Sequence, residues 1–577
     1  MLDHEVRQLA DVYASIRPSI SRAVAFADGL AAVVKLDAAS AQGSSIERTG
    51  SSWAVSTGFV LCDSPLTFAP VEDLDGQFSM VRYNAEAHRV EVITDPFGLR
   101  SLYVAERDGK TYISTSVLAL AKHLRAAPDR YGLSFFLRTG YQIGTLTNWQ
   151  GISRLDPATV LSYTKAERNS HTYFTPQVDP AVERLDFTQT TDHALEVLLD
   201  SYRHWYKNRP PAWADLTGGF DTRLADSVLA ACGIEFRTNT VGTENETDVR
   251  LASEVAQRAG WEWTRFSLPH DWSEVLPHQL FEALGWGDGQ LDVLQLAEVL
   301  HGHAQKSIVH RSLFVGGGHE LFRGYAWQQE FWNTGRSKKI NLNTLMDMRW
   351  LQPLNAAAIF AQDPTPTIRH DLQERVKGWT APYNDALNTT QLDALYLRKM
   401  PTHFGPYQSA ADASMRAILP FFCRPVVTAA FSSNFRYRKG HRLIRHMIER
   451  LNPAVAAVPT TSGGPAQPPR ITNLHRFAPY YVRLARKATA KIGQNLTKRR
   501  MTGARALPVV SQRTAARRFV LHHLNLQPSQ MRSGSLYNAP AFERFIHQAD
   551  DETFRDSALL GRVIAAELAL REAGAQL

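Results

Sequence analysis

The sequence predicts an α/β protein with a β-rich, sandwich-like N-terminal region and a doubly wound parallel sheet that ends in a helical part. Three observations support this prediction. Residues 1–180 contain short runs rich in β-branched and aromatic residues, separated by turn signals. From residue 187, runs of strand length alternate with apolar residues at helical spacing, which is typical of parallel sheets. From about residue 390 the pattern is mostly helical.

Composition limits the class of protein. A chain of 577 residues is too long for one core, and 44% hydrophobic with 21% charged residues is typical of soluble globular proteins. No run reaches the ~18 apolar residues that a membrane span needs, and the N-terminus does not resemble a signal peptide. Cys62, Cys232 and Cys423 have neither metal-site nor disulfide spacing. We therefore expect a cytoplasmic protein, with peripheral contact to the inner membrane surface as an alternative.

The N-terminal region is predicted to be a meander of strands. The runs that predict them are DGQFSMVRYN, HRVEVITDPFG, LRSLYVAE and KTYISTSV, all between residues 75 and 117. A polar, proline-marked segment, RNSHTYFTPQVDP, follows at residues 168–180 and ends the region.

The second region begins with a predicted helix from residue 187. A short strand, AWADL, then leads through the turn TGGFDT into a helix that ends at Gly233. A second strand over 235–242, a helix over 246–260 and a third strand over 307–318 follow. Strands that alternate with helices in this way form parallel sheets.

The turn TGGFDT is the strongest functional signal in the sequence. A strand that ends in Gly218-Gly219 and leads into a helix leaves several backbone N–H groups unpaired beside the positive end of the helix dipole. Thr217 and Thr222 add hydroxyl donors, so the turn suits phosphate. Asp221 would repel a bare phosphate, which suggests a bridging Mg²⁺. A polar turn without a ligand is the alternative.

Several stretches resemble the asparagine synthetase family. LTGGFDTRL is similar to its pyrophosphate loop S-G-G-x-D-S, and VGGGHELFRGY to G-x-G-A-D-E-L-F-G-G-Y. Similar stretches in the N-terminal region and near the C-terminus occur in family order over most of residues 70–460. The resemblance implies a degenerate glutamine amidotransferase-like domain of the Ntn-hydrolase type over 1–180. It also implies an ATP-pyrophosphatase domain of the adenine-nucleotide α-hydrolase (PP-loop) type over 187–577.

The resemblance also implies a reaction and its residues. ATP and Mg²⁺ would convert a small-molecule or peptide carboxylate into an acyl-adenylate with release of pyrophosphate, and an amine would then displace AMP. Asp221 and Glu320 would hold the metal, and Val241 with Gly242 would lie near adenine. The pyrophosphate and acyl-transfer residues implied are Thr217, Gly218, Gly219, Asp221, Thr222, Glu320, Lys439, His441 and Arg442.

The sequence departs from the family at informative positions. It begins Met1-Leu2-Asp3 without the family's cysteine nucleophile, so we expect no glutaminase and an amine that belongs to the substrate. This is the pattern of β-lactam synthetases and lasso peptide cyclases. His319 replaces an aspartate and is a poor Mg²⁺ ligand. The remaining departures are Arg416 for a glutamate, Cys423 for an aspartate and His441 for a lysine.

Three functions remain open at this level. The first is an AMP-forming, ATP-dependent amide ligase in a specialised or cell-surface pathway, with lasso peptide macrolactam formation as the most concrete example. The second is a non-catalytic, nucleotide-binding descendant of the family, because several charged positions have changed. The third is an RNA-directed enzyme that uses the same loop.

Residues 470–518 carry 13 Lys or Arg and no Asp or Glu, whereas the remainder has 51 basic and 56 acidic residues. A solvated helical face is one explanation. An anionic membrane surface or an acidic partner is another, because basic amphipathic helices bind anionic surfaces. Nucleic acid is a third explanation, although no recognition motif accompanies the segment.

Overall fold

A computed structural model describes residues 2–17, 20–27, 30–38, 46–207, 209–330, 333–351, 358–497 and 511–577. It confirms the predicted fold class: a β-rich N-terminal part is followed by a parallel sheet flanked by helices, and the C-terminal part is helical. Among the described residues, no helix has the length and apolar character needed to cross a membrane.

The N-terminal part is built on antiparallel sheets. The main sheet has six strands in the order β11-β10-β6-β5-β4-β3, a second has the order β8-β7-β9, and β1 and β2 form a hairpin. The strands are β1 Ile20–Ala27, β2 Ala32–Ala38, β3 Ile46–Thr49, β4 Ser52–Leu61, β5 Asp75–Asn84, β6 Arg89–Thr94, β7 Tyr103–Arg107, β8 Lys110–Ser114, β9 Ile152–Arg154, β10 Thr159–Tyr163 and β11 Arg168–Thr172. Buried Val92 and Leu161 of the main sheet pack together with Ile113 of β8, so the two sheets share a core.

Three helices interrupt this part, and the sequence patterns did not predict them. They are α1 Leu2–Ile16, α2 Val117–Leu124 and α3 Arg130–Thr139. Ser116 caps α2 and Asp129 caps α3 through hydrogen bonds to backbone N–H groups. Both short helices are almost entirely buried, and a continuous apolar run of this length is compatible with either a strand or a helix.

The second part contains a five-stranded, wholly parallel sheet in the order β14-β13-β12-β15-β16. Its strands are β12 Ala212–Asp215, β13 Phe236–Val241, β14 Trp263–Phe266, β15 Ser312–Phe314 and β16 Arg416–Ile418. The predicted strands over AWADL and EFRTNTVG are confirmed, and the one predicted over 307–318 is shorter than expected. β14 and β16 were not predicted from the sequence.

Helices pack on the parallel sheet and extend from it. Those that precede β15 in the chain are α4 Pro180–Glu183, α5 Phe187–Tyr206, α6 Asp221–Ala231, α7 Thr247–Ala259, α8 Trp272–Gly287 and α9 Val293–Ser307. The later ones are α10 Leu342–Leu345, α11 Thr365–Thr380, α12 Asn388–His403, α13 Gly405–Ala411, α14 Arg424–Ser432, α15 Phe435–Arg438, α16 Arg442–Leu451, α17 Pro453–Ala457, α18 Ala478–Thr497, α19 Ser511–Leu524, α20 Ala539–Ala549 and α21 Ser557–Glu572.

The two parts are joined by buried polar contacts. The Arg100 guanidinium, which is buried beside β7, forms an ion pair with Asp412, which follows α13. Gln77 of β5 donates to the carbonyl of Leu419, and its side-chain oxygen accepts the Leu419 N–H at 3.2 Å. These contacts fix the N-terminal sheet against the end of β16, since breaking a buried hydrogen bond leaves its partner unsatisfied.

Candidate active site

The candidate site lies where the order of the parallel sheet reverses. The chain runs outward from β12 to β13 and β14, returns to β15 on the other side of β12, and continues to β16. Loops that leave β12 and β15 at their carboxyl ends therefore diverge and leave a crevice between them. The predicted pyrophosphate loop follows β12, and the glycine-rich segment Gly316–Gly318 follows β15. Ligands of open α/β sheets bind in crevices of this kind.

Hydrogen bonds within the predicted pyrophosphate loop hold it in shape. The Thr217 N–H donates to Oγ1 of Thr222 at 3.1 Å, and the two threonine hydroxyl oxygens are 3.0 Å apart. The Gly219 N–H donates to Oγ1 of Thr217 at 3.1 Å, and the Gly218 N–H donates to Oδ1 of Asp248 at 3.2 Å. The five loop residues proposed from the sequence thus form one closed turn at the start of α6.

Close packing explains the glycine at position 218. A Cβ there would lie 2.6 Å from Cγ2 of Thr461 and 2.9 Å from Cδ1 of Leu251, whereas a Cβ on Gly219 would meet only the Thr217 hydroxyl, at 3.3 Å. α6 begins directly after the loop at Asp221, and no side chain caps its first N–H groups. These N–H groups remain available to an anion.

Asp221 forms an ion pair with Arg323, which the sequence patterns did not predict. The Arg323 Nε lies 2.8 Å from Oδ1 and its Nη2 lies 2.7 Å from Oδ2, so both carboxylate oxygens are engaged. Burial lowers the pKa of Arg323, but the charge and hydrogen bonds of Asp221 outweigh burial and raise the pKa overall. The sequence contains one signal for this ion pair, because VGGGHELFRGY has an arginine, Arg323, where the resembled motif has glycine.

Glu320 lies beside this ion pair and has its own donors. Its Oε2 accepts the Gly318 N–H at 2.7 Å and the Tyr396 hydroxyl at 3.0 Å. Burial raises the pKa of Glu320, and the nearby charge of Asp221 raises it further. Tyr396 belongs to α12, 76 positions away in the sequence, so its part in the site became visible only in the fold.

His319 faces the protein interior and is fully buried. Its Nδ1 donates to the Gly316 carbonyl at 3.0 Å, which leaves Nε2 to accept the Tyr202 hydroxyl, also at 3.0 Å. Burial lowers its pKa to about 4, so the imidazole is neutral at pH 7. His319 is therefore a satisfied core residue and is not directed at the crevice.

The residues present do not fit the Mg²⁺ site that the sequence suggested between Asp221 and Glu320. Mg²⁺ needs oxygen ligands free to approach within about 2.1 Å. Both Asp221 oxygens are bound to the Arg323 guanidinium, and Oε2 of Glu320 already accepts two hydrogen bonds. Within the described part of the chain, no group of three or more His, Cys, Asp and Glu side chains is arranged to hold a metal ion.

The fold brings some of the other predicted residues to the same edge of the sheet. Val241 is the last residue of β13, the strand beside β12, and Gly242 follows it; Val241 is exposed. The imidazole of His441 lies 4.9 Å from the ring of Phe220 in the loop, measured between centroids. His441 has φ 63°, which is unusual for a residue with a side chain.

Two of the residues predicted to act in acyl transfer, Lys439 and Arg442, are exposed. The Arg442 guanidinium lies 4.0 Å above the ring of Phe187 at the start of α5. Arg416 is the first residue of β16 and lies at the amino end of the sheet, opposite the crevice, where its guanidinium packs over Phe59. Cys423 is buried, and burial raises its thiol pKa to about 12. The changes at 416 and 423 therefore do not alter the loop itself.

The N-terminal part contains a separate cavity of about 570 Å³. It lies between α1, the β1–β2 hairpin and the two sheets, and residues such as Tyr13, Val33, Val55 and Met80 line it. Cys62 follows β4 but is not among the lining residues.

Comparisons with known proteins bear mainly on the N-terminal part. Residues 68–174 match the family model of a glutamine amidotransferase domain, within the predicted 1–180 region. No curated protein matches the chain. The structure is similar to that of a glutamine-dependent NAD⁺ synthetase from Acinetobacter baumannii in complex with ADP, with 14% identity, 38% of this chain and 51% of that chain covered, and a TM-score of 0.17. The chain thus spans about half of that synthetase, and so low a TM-score carries no functional weight.

Proposed function

We propose that this chain is an ATP-dependent, AMP-forming ligase that activates a carboxylate as an acyl-adenylate and transfers it to an amine. One observation carries the proposal: a glycine loop with two threonine hydroxyls and an uncapped helix start lies at the reversal point of a doubly wound parallel sheet. Backbone N–H groups at such a point favour phosphate, and here they would hold the two phosphates that ATP releases.

The first step forms a bond between a substrate carboxylate oxygen and the α-phosphorus of ATP, and it breaks the bond to the β-phosphate. The electron pair of that bond leaves with pyrophosphate. Donors that are already in place stabilise this charge at no cost in reorganisation. In this chain those donors are the uncapped N–H groups of α6 and the hydroxyls of Thr217 and Thr222.

The second step is attack of an amine on the acyl carbon, with AMP as the leaving group. His441 is the candidate for stabilising this step, because it lies against Phe220 of the loop and stands where the resembled family has lysine. The amine then belongs to the substrate, as in lasso peptide macrolactam formation or another specialised amide-forming pathway. Residues 68–174 would serve as a scaffold in this scheme, although they resemble an amidotransferase domain.

ATP–pyrophosphate exchange tests the first step without knowledge of the amine. We expect the purified protein to exchange labelled pyrophosphate into ATP in the presence of a suitable carboxylate from a panel of amino acids and short peptides. Hydroxylamine would trap the same intermediate as a hydroxamate. Asp221→Asn should reduce exchange at least tenfold, because it breaks the bidentate ion pair that shapes the site. Asp200→Asn, in an exposed ion pair with Arg203, is the matched control. Exchange that Asp221→Asn leaves unchanged would remove the loop from the mechanism.

A non-catalytic nucleotide-binding protein is the second candidate. The engagement of both Asp221 oxygens by Arg323 favours it, because a carboxylate occupied in this way contributes less to a reaction centre. Calorimetry would then show ATP binding by a protein that gives no exchange and no hydroxamate with any carboxylate in the panel. A single carboxylate that supports exchange would exclude this candidate.

We further propose that residues 471–484 contact an anionic membrane surface. Five large apolar side chains are exposed within this stretch: Ile471, Leu474, Tyr481, Val482 and Leu484. The surrounding 470–518 segment has no acidic residue, so its charge suits anionic lipid. Arg470, Arg513 and Arg518 are already paired with carboxylates, which leaves a smaller cationic surface than the sequence suggested. Residues 498–510 of the segment lie outside the described residues.

Vesicle co-sedimentation tests this contact. The protein should sediment with vesicles that contain phosphatidylglycerol and not with phosphatidylcholine alone. Replacing Ile471 and Leu484 by Ser should abolish sedimentation, whereas Phe281→Ser, at an exposed apolar side chain on α8, should not. Retention of RNA or of an acidic protein in the absence of vesicle binding would contradict the proposal.

A further inference from the structure

Three arginines surround the pyrophosphate loop, each in contact with a different loop residue. The Arg323 guanidinium pairs with Asp221, Nη2 of Arg223 donates to the Gly218 carbonyl at 3.3 Å, and the Arg445 guanidinium lies 4.8 Å from the centroid of the Phe220 ring. They come from three separate parts of the chain: α6, the segment after β15, and α16. Three guanidinium groups and two carboxylates, those of Asp221 and Asp248, therefore lie against the loop.

Two of these arginines are buried without a carboxylate partner among the described residues. Arg223 donates to backbone carbonyls that include Val458, at 2.8 Å, and Arg445 donates to the carbonyl of Gln467, at 3.1 Å. Burial lowers the pKa of each to about 10, which leaves both positively charged at neutral pH. Neither guanidinium forms a direct ion pair among the described residues, although the charges of Glu254 and Asp248 act on Arg223. A buried charge without a directly paired counter-ion favours the binding of an anion nearby.

Arg323 pairs with Asp221, one of the two carboxylates that the sequence suggested as metal ligands. It binds both oxygens of Asp221, and its charge acts on Glu320 as well. Its side chain is only 14% exposed, so this ion pair is shielded from water. A guanidinium in this place supplies positive charge beside the loop, as Mg²⁺ would, and presents further N–H donors suited to phosphate oxygens.

We propose that Arg323 takes the role of a divalent cation at this loop, so that the chain binds the polyphosphate of a nucleotide without a metal ion. The ligand is a nucleoside triphosphate, which the site binds whether or not the nucleotide carries its own Mg²⁺, and the proposal rests on the proposed function only in taking ATP as that ligand. Arg223 and Arg445 provide the remaining positive charge from behind the loop.

ATP titration by calorimetry, in EDTA and in excess Mg²⁺, tests this proposal on the full chain. We expect the dissociation constants under the two conditions to agree within about threefold. Arg323→Gln should weaken binding in EDTA at least tenfold, the loss expected for a charge-assisted phosphate contact. Because Asp221 is then free to bind a metal, Mg²⁺ should restore part of the lost affinity. A purely structural role for Arg323 would not create this metal dependence.

Two further variants serve as controls. Arg323→Lys keeps the charge but not the bidentate geometry, and it should retain binding in EDTA within about tenfold of the unmodified chain. Arg203→Gln removes an exposed arginine whose partner is Asp200, and it should change nothing. Thermal melting of each variant shows whether it is folded. If Arg323→Gln does not fold, the affinity of Arg323→Lys for ATP in EDTA is compared with that of the unmodified chain. A loss of much more than about tenfold would then contradict the proposal.

The possible outcomes separate this inference from the proposed function. ATP binding that requires Mg²⁺ in the unmodified chain would overturn the role given to Arg323 and leave the ligase proposal intact. Absence of ATP binding under both conditions would overturn both. Equal binding under both conditions without pyrophosphate exchange would support the role of Arg323 and remove the ligase activity.

Discussion

The amide N–H of Gly218 donates to Oδ1 of Asp248 at 3.2 Å, so a carboxylate occupies a position that the loop would offer to a phosphate oxygen. Asp248 lies in the first turn of α7, the helix that follows β13. Because this loop N–H already donates to a carboxylate oxygen, it is able to donate to the oxygen of another anion. The same carboxylate must also move aside or be shielded when a phosphate enters, since like charges repel.

Asp248→Asn should therefore increase the affinity for ATP. The asparagine oxygen can still accept the Gly218 N–H, while the repulsion of a full negative charge, worth about 1 kcal/mol near water, is removed. We expect the dissociation constant to fall about fivefold in calorimetric titrations. Asp271→Asn, at an exposed aspartate just before α8, is the control and should leave affinity unchanged. Weaker binding by Asp248→Asn would mean that the carboxylate itself contributes to the ligand site.

Gly218→Ala should destabilise the loop by about 1–3 kcal/mol, because the added methyl group overlaps Thr461 and Leu251. Pyrophosphate exchange should fall with it. Gly219→Ala meets only a hydroxyl at 3.3 Å and should be nearly neutral for folding. Urea unfolding of both variants checks the difference.

Gly302→Ala calibrates this pair of variants. Gly302 lies inside α9, and a Cβ there would meet nothing within 4 Å, so alanine should stabilise the chain by up to about 1 kcal/mol. Equal stability of Gly218→Ala and Gly219→Ala would contradict the packing described for the loop.

His319 should make stability depend on pH in the acidic range. Burial lowers its pKa from 6.5 to about 4, so below pH 6.5 the unfolded chain binds a proton that the folded chain does not. The free energy of unfolding should fall between pH 6.5 and about 4, by at most about 1.4 kcal/mol per pH unit from this group, and level off below that.

His319→Asn removes this titration and should reduce the slope across the same interval, at a cost of about 1–3 kcal/mol in stability from the lost hydrogen bonds. The remaining slope includes the buried His303 and His403, whose pKa values burial also lowers. His278→Asn, at an exposed histidine on α8, should keep the original slope. Denaturant unfolding at several pH values measures both variants. An unchanged slope in His319→Asn would show that His319 already titrates near 6.5 in the folded state.

His441→Gly should slow amide formation at least tenfold while leaving pyrophosphate exchange largely intact, because His441 is assigned to the second step. The substitution should not lower stability, since glycine accepts φ 63° without strain. Arg442→Ala, whose guanidinium packs over Phe187, is the neighbouring control and should affect neither step. Equal losses in both steps would mean that His441 acts in nucleotide binding instead.

The sequence predicted those features that depend on local patterns. The glycine turn, the strand before it and the helix after it are local in the chain, and the structure has all three where they were predicted. α2 and α3 were missed because their buried apolar positions do not distinguish a helix from a strand. α1 has a periodic sequence, of which few residues are buried, and it was counted with the β-rich region. β12 and β15 are as short as β14 and β16, but only β12 and β15 lead into glycine-rich turns that marked them in the sequence.

The ion pair and the orientation of His319 depend on tertiary contacts. Arg323 reaches Asp221 only because β15 returns beside β12, a contact between residues 102 positions apart. The short helical turn His319–Arg323 directs His319 into the core, toward Tyr202, while Glu320 reaches Tyr396 and Arg323 reaches Asp221. Sequence spacing does not show in which direction each of these side chains points. For this reason Asp221 and Glu320 were predicted as metal ligands, whereas Asp221 is paired with Arg323.

A crystal structure with α,β-methylene-ATP, which cannot release pyrophosphate, would show where the nucleotide binds. We expect the β- and γ-phosphates to contact the backbone N–H groups of residues 218–222, with the Arg323 guanidinium within hydrogen-bond distance of a phosphate oxygen. A nucleotide bound elsewhere, with the Asp221–Arg323 pair and the Gly218–Asp248 hydrogen bond unchanged, would contradict this expectation.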